Sequence, residues 1–203
     1  MCDFLNRMGN IVYFDLETQK SAAEVGGWGH IDKMGVSVAA LYHSAKDEYE
    51  VYLEKDVDRL IADLRRADLV VGFNVLRFDY TVLAAYSVFD FSTVPTLDLM
   101  VSLEEKIKHR VGLDAVASAT CGVKKTASGM EAIQWWREGK QKEVAEYCCY
   151  DVKTTRLVHE HGVRTGKVSF VSHKTFLKQT VAVDWASIGP VEHLLPAPKP
   201  SAA

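Results

Sequence analysis

The 203-residue chain has no run of about 18 consecutive apolar residues, so no segment is long enough to span a bilayer as a helix. Its opening, MCDFLNRMGN, has neither the basic start nor the apolar stretch of a secretory signal, and the expectation is a cytoplasmic protein with no membrane partner. Cysteine is sparse. Cys2, Cys121, Cys148 and Cys149 form neither a CxxC pair nor a disulfide-framework spacing, which argues for reduced thiols and against a zinc site. Proline is rarer in the body than at the end: four of the five fall in the last fourteen residues, which reads as a tail or linker. GVKKT lacks the spacing of a phosphate-binding Walker loop, and GGWG lacks the strand-turn-helix setting of a dinucleotide fingerprint. No internal repeat is present.

What remains is the composition of one soluble domain with a real core, 48% hydrophobic and 25% charged. The net charge of −3 conceals a polarity along the chain. Residues 1–103 carry 16 acids against 9 Lys and Arg, whereas residues 104–178 carry 9 acids against 14. Such asymmetry suits a phosphate-bearing ligand lying across the basic half, although solvated helix faces give similar counts.

Apolar runs and turn residues predict strands at 10–17, 34–43 and 48–53, a helix at 57–67, a strand at 68–74, a helix from Phe78 to Val88 and a short strand at 96–98. The remainder to Gly162 is mostly helical, including a helix over 140–161. Strands followed by strand–helix alternation imply an α/β domain with a mixed sheet. We expect an N-terminal extension at 1–9, the domain at 10–162, an extension with a possible hairpin at 163–186 and a Pro-rich tail at 187–203.

The chemistry rests on carboxylates. Side chains alternate along a strand, so Asp15 and Glu17 of FDLET share one face while Phe14 and Leu16 take the other. Two carboxylates held that close repel unless a divalent cation lies between them, and magnesium or manganese prefers such oxygen ligands. Asp79 falls in the first turn of the next helix, where a capping role is also open. Tyr147 and Asp151 are four residues apart on one helix face, beside the apolar stripe of Val144, Cys148, Val152, Thr155 and Val158. An inward aspartate needs a cation or several donors. Asp98 suits a helix N-cap and is kept outside the catalytic set. His159 and His161 read as solvent-facing, and at least one of the adjacent Trp135 and Trp136 as core.

FDLET, GFNVLRFDYTVL and YCCYD together resemble, in this order, the three motifs of the DEDD (DnaQ-like) 3′-5′ exonuclease superfamily. The resemblance covers residues 10–162. The Tyr-x3-Asp form of the last motif is that of the tyrosine subgroup, which includes the exonuclease domains of family B DNA polymerases; Glu146 stands where the other subgroup would place histidine. The segment from Val111 to Lys140 is similar to bacterial ribonuclease H-like exonuclease domains found alone or beside helicases.

The resemblance implies a ribonuclease H-like α/β fold, a mixed central sheet flanked by helices, and two Mg²⁺ or Mn²⁺ ions per active site. It implies that Asp15, Glu17 and Asp151 surround the first metal, that Asp15 and Asp79 hold the second, and that Tyr147 orients the attacking water. Thr18, Asn74 and Phe78 are then candidates for contacting the terminal nucleotide, and clustering makes Lys124 and Lys125 the phosphate candidates. Trp28 is a candidate for base stacking.

The expected substrate is the single-stranded or frayed 3′ end of a nucleic acid, with DNA slightly favoured. Two alternatives stay open: a non-catalytic nucleic-acid-binding module serving a helicase or polymerase partner, and a ribonuclease H-type endonuclease.

Overall fold

The computed structural model describes residues 9–124, 127–172, 176–191, 194 and 195. A five-stranded mixed sheet forms its centre. Strand β1 (Ile11–Thr18) pairs antiparallel with β2 (Val36–His43), which pairs antiparallel with β3 (Glu48–Leu53); on its other side β1 runs parallel to β4 (Leu69–Gly72), and β4 parallel to β5 (Thr96–Asp98). The spatial order is β3-β2-β1-β4-β5. Thr18 pairs with Val36 and Glu17 with Val38, so Ser37 is one extra residue on β2, a bulge that ends the regular ladder beside the FDLET carboxylates.

Helix α1 (Ala22–Val25) and a 3-10 turn (Trp28–Lys33) bridge β1 and β2. Next come α2 (Val57–Leu64), α3 (Asp79–Leu83), α4 (Leu99–Ile107), α5 (Leu113–Cys121), α6 (Gly129–Arg137) and α7 (Gln141–Thr165). Alternation along β1 decides which layer each residue joins. Val12, Phe14 and Leu16 pack with Leu60, Leu64, Val82 and Leu83 of α2 and α3, while Ile11 and Tyr13 pack with Val116 of α5 and Tyr147, Cys148 and Val152 of α7. The result is a mixed central sheet flanked by helices, the α/β arrangement expected from the sequence.

Several boundaries differ from expectation. The helix predicted from Phe78 to Val88 ends at Leu83, giving way to turns and a 3-10 segment at Phe91–Thr93. Helix α7 continues past Gly162 to Thr165 and ends on Gly166 in the left-handed conformation. Strands β6 (Lys167–Val171) and β7 (Lys178–Ala182) then form an antiparallel hairpin.

The chain packs on beyond the hairpin. Trp185 is fully buried against Gly162 and His159, and Val191 is buried too, beyond the point where a tail was expected to begin. His159, expected at the surface, is buried, with its Nδ1 hydrogen-bonded to Tyr13 Oη at 2.9 Å. Trp135 and Trp136 are both half-buried, so neither is wholly core.

Candidate active site

The odd face of β1 carries the site. Past Tyr13 the layer above the sheet no longer closes, and Asp15 and Glu17 continue the same side-chain row into a pocket of about 630 Å³. Asp151, projecting from α7, completes a trio: one ligand atom from each of Asp15, Glu17 and Asp151 lies within 4.8 Å of the others. Asp79 lines the same pocket from the first turn of α3, and its Oδ1 accepts a 3.0 Å hydrogen bond from the Leu16 amide. It is held by backbone between the two strand carboxylates rather than only capping its own helix.

Electrostatics show what the cluster lacks. Burial raises the Asp15 carboxyl well above the usual range, and the charges of Asp79, Glu17 and Asp151 raise it further. Asp79 is pushed to about 8, chiefly by burial. The charges acting most strongly on Asp15 are all negative, so a cation bound among these oxygens would reverse the balance. An all-carboxylate donor set of this size fits a hard divalent cation.

Tyr147 is buried on α7 one turn before Asp151, within electrostatic reach of the Asp151, Glu17 and Asp15 carboxylates. Burial and then the charges of Asp151, Glu17 and Asp15 raise its hydroxyl's pKa, so it stays a neutral donor. Trp135 meets its ring edge-on with centroids 6.3 Å apart, bracing it from α6. Cys148, absent from the sequence-derived site, donates its thiol to the Asp15 carbonyl at 3.4 Å and approaches Asp15 Oδ2 at 3.7 Å. Burial keeps that thiol protonated, so it steadies Asp15 as a donor.

The loop between β4 and α3 owes its shape to Asp98. Its two oxygens accept from the amides of Asn74 (2.8 Å), Leu76 (3.0 Å), Met100 (3.0 Å) and Val101 (3.3 Å). The expected N-cap role is therefore half of its work; the other half holds Asn74 at a φ of 71° and sets the approach to Asp79. Thr18, Asn74 and Phe78 all line the pocket. So do Lys20, Met130 and Ile133, which the motifs did not single out. Lys124 is elsewhere, lining a separate cleft with Asp114 and Phe176, and its carbonyl accepts from Tyr150 Oη at 2.6 Å. The structure thus does not bring Lys124 to the carboxylate pocket, and Lys125 lies outside the described residues.

Gly26 and Gly27, with φ of 92° and 113°, turn the chain sharply after α1. That turn leaves Trp28 71% exposed, with its ring tilted against Phe78 at the pocket rim.

A protein-family model of the ribonuclease H superfamily matches residues 12–163. The chain belongs to that superfamily. The match spans every carboxylate of the site, from β1 to α7. Among solved structures, the family B DNA polymerase from the hyperthermophilic archaeon Pyrobaculum calidifontis is similar, with a TM-score of 0.55 and 16% identity over 76% of this chain. The aligned part is 26% of the polymerase, so the likeness is one of fold to a portion of a larger protein. No curated protein matches the sequence. Among the described residues, no helix is long and apolar enough to cross a membrane.

Proposed function

We propose that this member of the superfamily is a divalent-metal-dependent 3′-5′ exonuclease that releases nucleoside 5′-monophosphates from a single-stranded or frayed 3′ end. One observation carries the reading: Asp15, Glu17 and Asp151 converge within 4.8 Å, with Tyr147 buried one helical turn before Asp151 and subject to the charges of all three. A binding module has no use for buried carboxylates that repel one another. The tyrosine favours an exonuclease over a ribonuclease H-type endonuclease, because it ties the third motif to a hydroxyl donor at the reacting phosphate.

Asp15, Glu17 and Asp151 would hold one cation, magnesium or manganese, and Asp79 with Asp15 a second. When bound, such ions supply charge stabilisation to the phosphate and a water activated for attack. The chain's own part is positional. Asp15 and Glu17 stand on a strand laddered to β2 along their stretch and to β4 up to Tyr13, Asp79 is fixed by the Leu16 amide, and Cys148 restrains Asp15. With its raised pKa, Tyr147 cannot serve as a base near neutral pH; it orients water by donating or accepting a hydrogen bond. Lys20, in the same pocket, is placed to neutralise phosphate charge.

The deciding experiment is a time course on 3′- and 5′-labelled single- and double-stranded DNA and RNA with Mg²⁺, Mn²⁺ or EDTA. We expect mononucleotides from the 3′ end, no products in EDTA, and none from Asp15→Ala or Asp151→Ala. Internal fragments would point to an endonuclease, and full activity in EDTA would overturn the metal assignment.

A further inference from the structure

A second concavity, of about 320 Å³, opens beside the carboxylate pocket and shares Trp28, Asn74 and Phe78 with it. Its other walls are Ile31, Arg77 and Arg110. We infer that this is a nucleotide subsite for the strand 5′ of the scissile bond, with the nucleoside stacked on Trp28 and the next phosphate upstream held by Arg77 and Arg110. The inference rests on the exonuclease reading above and specifies how that site grips its strand.

The path assigned to the strand follows from the wall that the two concavities share. The far side of the first pocket is formed by α1 and α6, through Ala22, Ala23, Met130 and Ile133, and the Arg137–Glu24 ion pair ties the two helices together there. A strand whose 3′ end lies at the carboxylates can then run past Trp28, on the shared wall, into the second concavity. A solvent-exposed indole on a turn enforced by two glycines presents a flat apolar surface that stacks on any base.

Beyond it Arg77 and Arg110 both line the second concavity. Arg110 donates through Nη2 to Asn74 Oδ1 at 3.2 Å, which aims it at the loop that carries Asp79. Arg77 pairs with Glu104 and is otherwise exposed. Asn74 is thereby linked at its amide to Asp98 and at its side chain to Arg110, so one residue couples the catalytic loop to the second pocket. Two planar forks at one pocket suit a phosphate, which accepts bidentate hydrogen bonds. The pocket's volume is at the lower end for a small-ligand site and suits one nucleotide unit.

The test uses thymidine dinucleotides with and without a 5′-phosphate, and a 5′-phosphorylated trinucleotide, binding to the full chain in Ca²⁺ to suppress turnover. Wild type should bind the 5′-phosphorylated dinucleotide more tightly than the unphosphorylated one, with a steeper salt dependence, because one more phosphate is neutralised. In Arg77→Ala/Arg110→Ala the preference should collapse toward one. In Arg110→Lys it should fall part-way, because charge remains but the fork is lost. Trp28→Ala should weaken all the ligands by roughly 5- to 150-fold, the range for a lost base stack. All three side chains are exposed, and unchanged melting temperatures would show the variants folded.

An unaltered 5′-phosphate preference in the double arginine variant, or none in wild type, would overturn the subsite. Wild-type protein that showed the preference but cut nothing in Mg²⁺ would sink the exonuclease reading and leave the subsite standing.

Discussion

In metal-free solution the protein should lose stability as pH rises from 5 to 8, and magnesium should suppress that loss. Asp79 is 2% exposed, and burial lifts its carboxyl from 3.8 to about 8. Asp15 moves the same way through burial and its three acidic neighbours. A carboxyl with a folded pKa above its unfolded one penalises folding once the unfolded chain begins to release its proton. The penalty is absent below about pH 4, grows through neutrality and is complete above the folded pKa.

Roughly four pH units at about 1.36 kcal/mol each set a ceiling of about 5–6 kcal/mol for Asp79. Relaxation and water entry around the charge should bring the observed loss to about 2–4 kcal/mol. For a domain of this size that is a fall in Tm of about 4–16 °C. His43 and His161, whose pKa values burial lowers, act with the opposite sign below about pH 6.5. Comparison with Asp79→Asn removes their contribution.

Thermal and urea melts at half-unit steps in EDTA, repeated in Mg²⁺, would measure the effect. The reasoning fails if metal-free stability is flat or rising between pH 6.5 and 8, or if Asp79→Asn leaves the slope unchanged.

Tyr147→Phe should fold and bind substrate in Ca²⁺ as wild type does, while single-turnover hydrolysis slows by up to roughly 10²–10⁴-fold; unaltered turnover would return Tyr147 to packing. Asp98→Ala strips the acceptor from four backbone amides, and should cost about 3–5 kcal/mol in urea denaturation, since a lost cap costs about 1 and each stranded buried donor about 1–3. A loss under about 1 kcal/mol would mean the loop finds other partners. Gly162→Ala would set a methyl group 2.2 Å from the Trp185 ring, so a destabilisation of about 1–3 kcal/mol is expected together with a changed indole near-UV signal; an unmoved Tm would show that the 185–191 segment can shift freely.

The carboxylates were legible in the sequence because each stands in a local period. Asp15 and Glu17 obey the two-residue repeat of a strand, and Tyr147 and Asp151 the four-residue repeat of a helix, so facing could be read without knowing the partners. The main sheet was legible for the same reason: β3 and β5 were bounded correctly, and β1, β2 and β4 within two residues.

What escaped depends on contacts distant in sequence. The Asp98 clamp reaches back 24 residues to Asn74, and Tyr13 meets His159 across 146. The helix after Phe78 ends at Leu83, short of Val88, because the apolar spacing continues while the chain turns away. The lysine pair that includes Lys124 carries no information on where it lies in the fold, whereas Lys20, three residues beyond Glu17, has no motif to mark it.

The bulge at Ser37 divides the molecule's freedom to change. On one side of it, β1 is pinned to β2 from Val12 onward and to β4 up to Tyr13, and a one-residue insertion there would turn Asp15 and Glu17 into the opposite layer. On the other side, residues 19–35 form an arm that carries Trp28 to the pocket rim and returns to the sheet only at Val36. Length and sequence can drift in that arm while the carboxylate row keeps its register. The rim of the pocket can therefore change while the acidic row beneath it stays as it is.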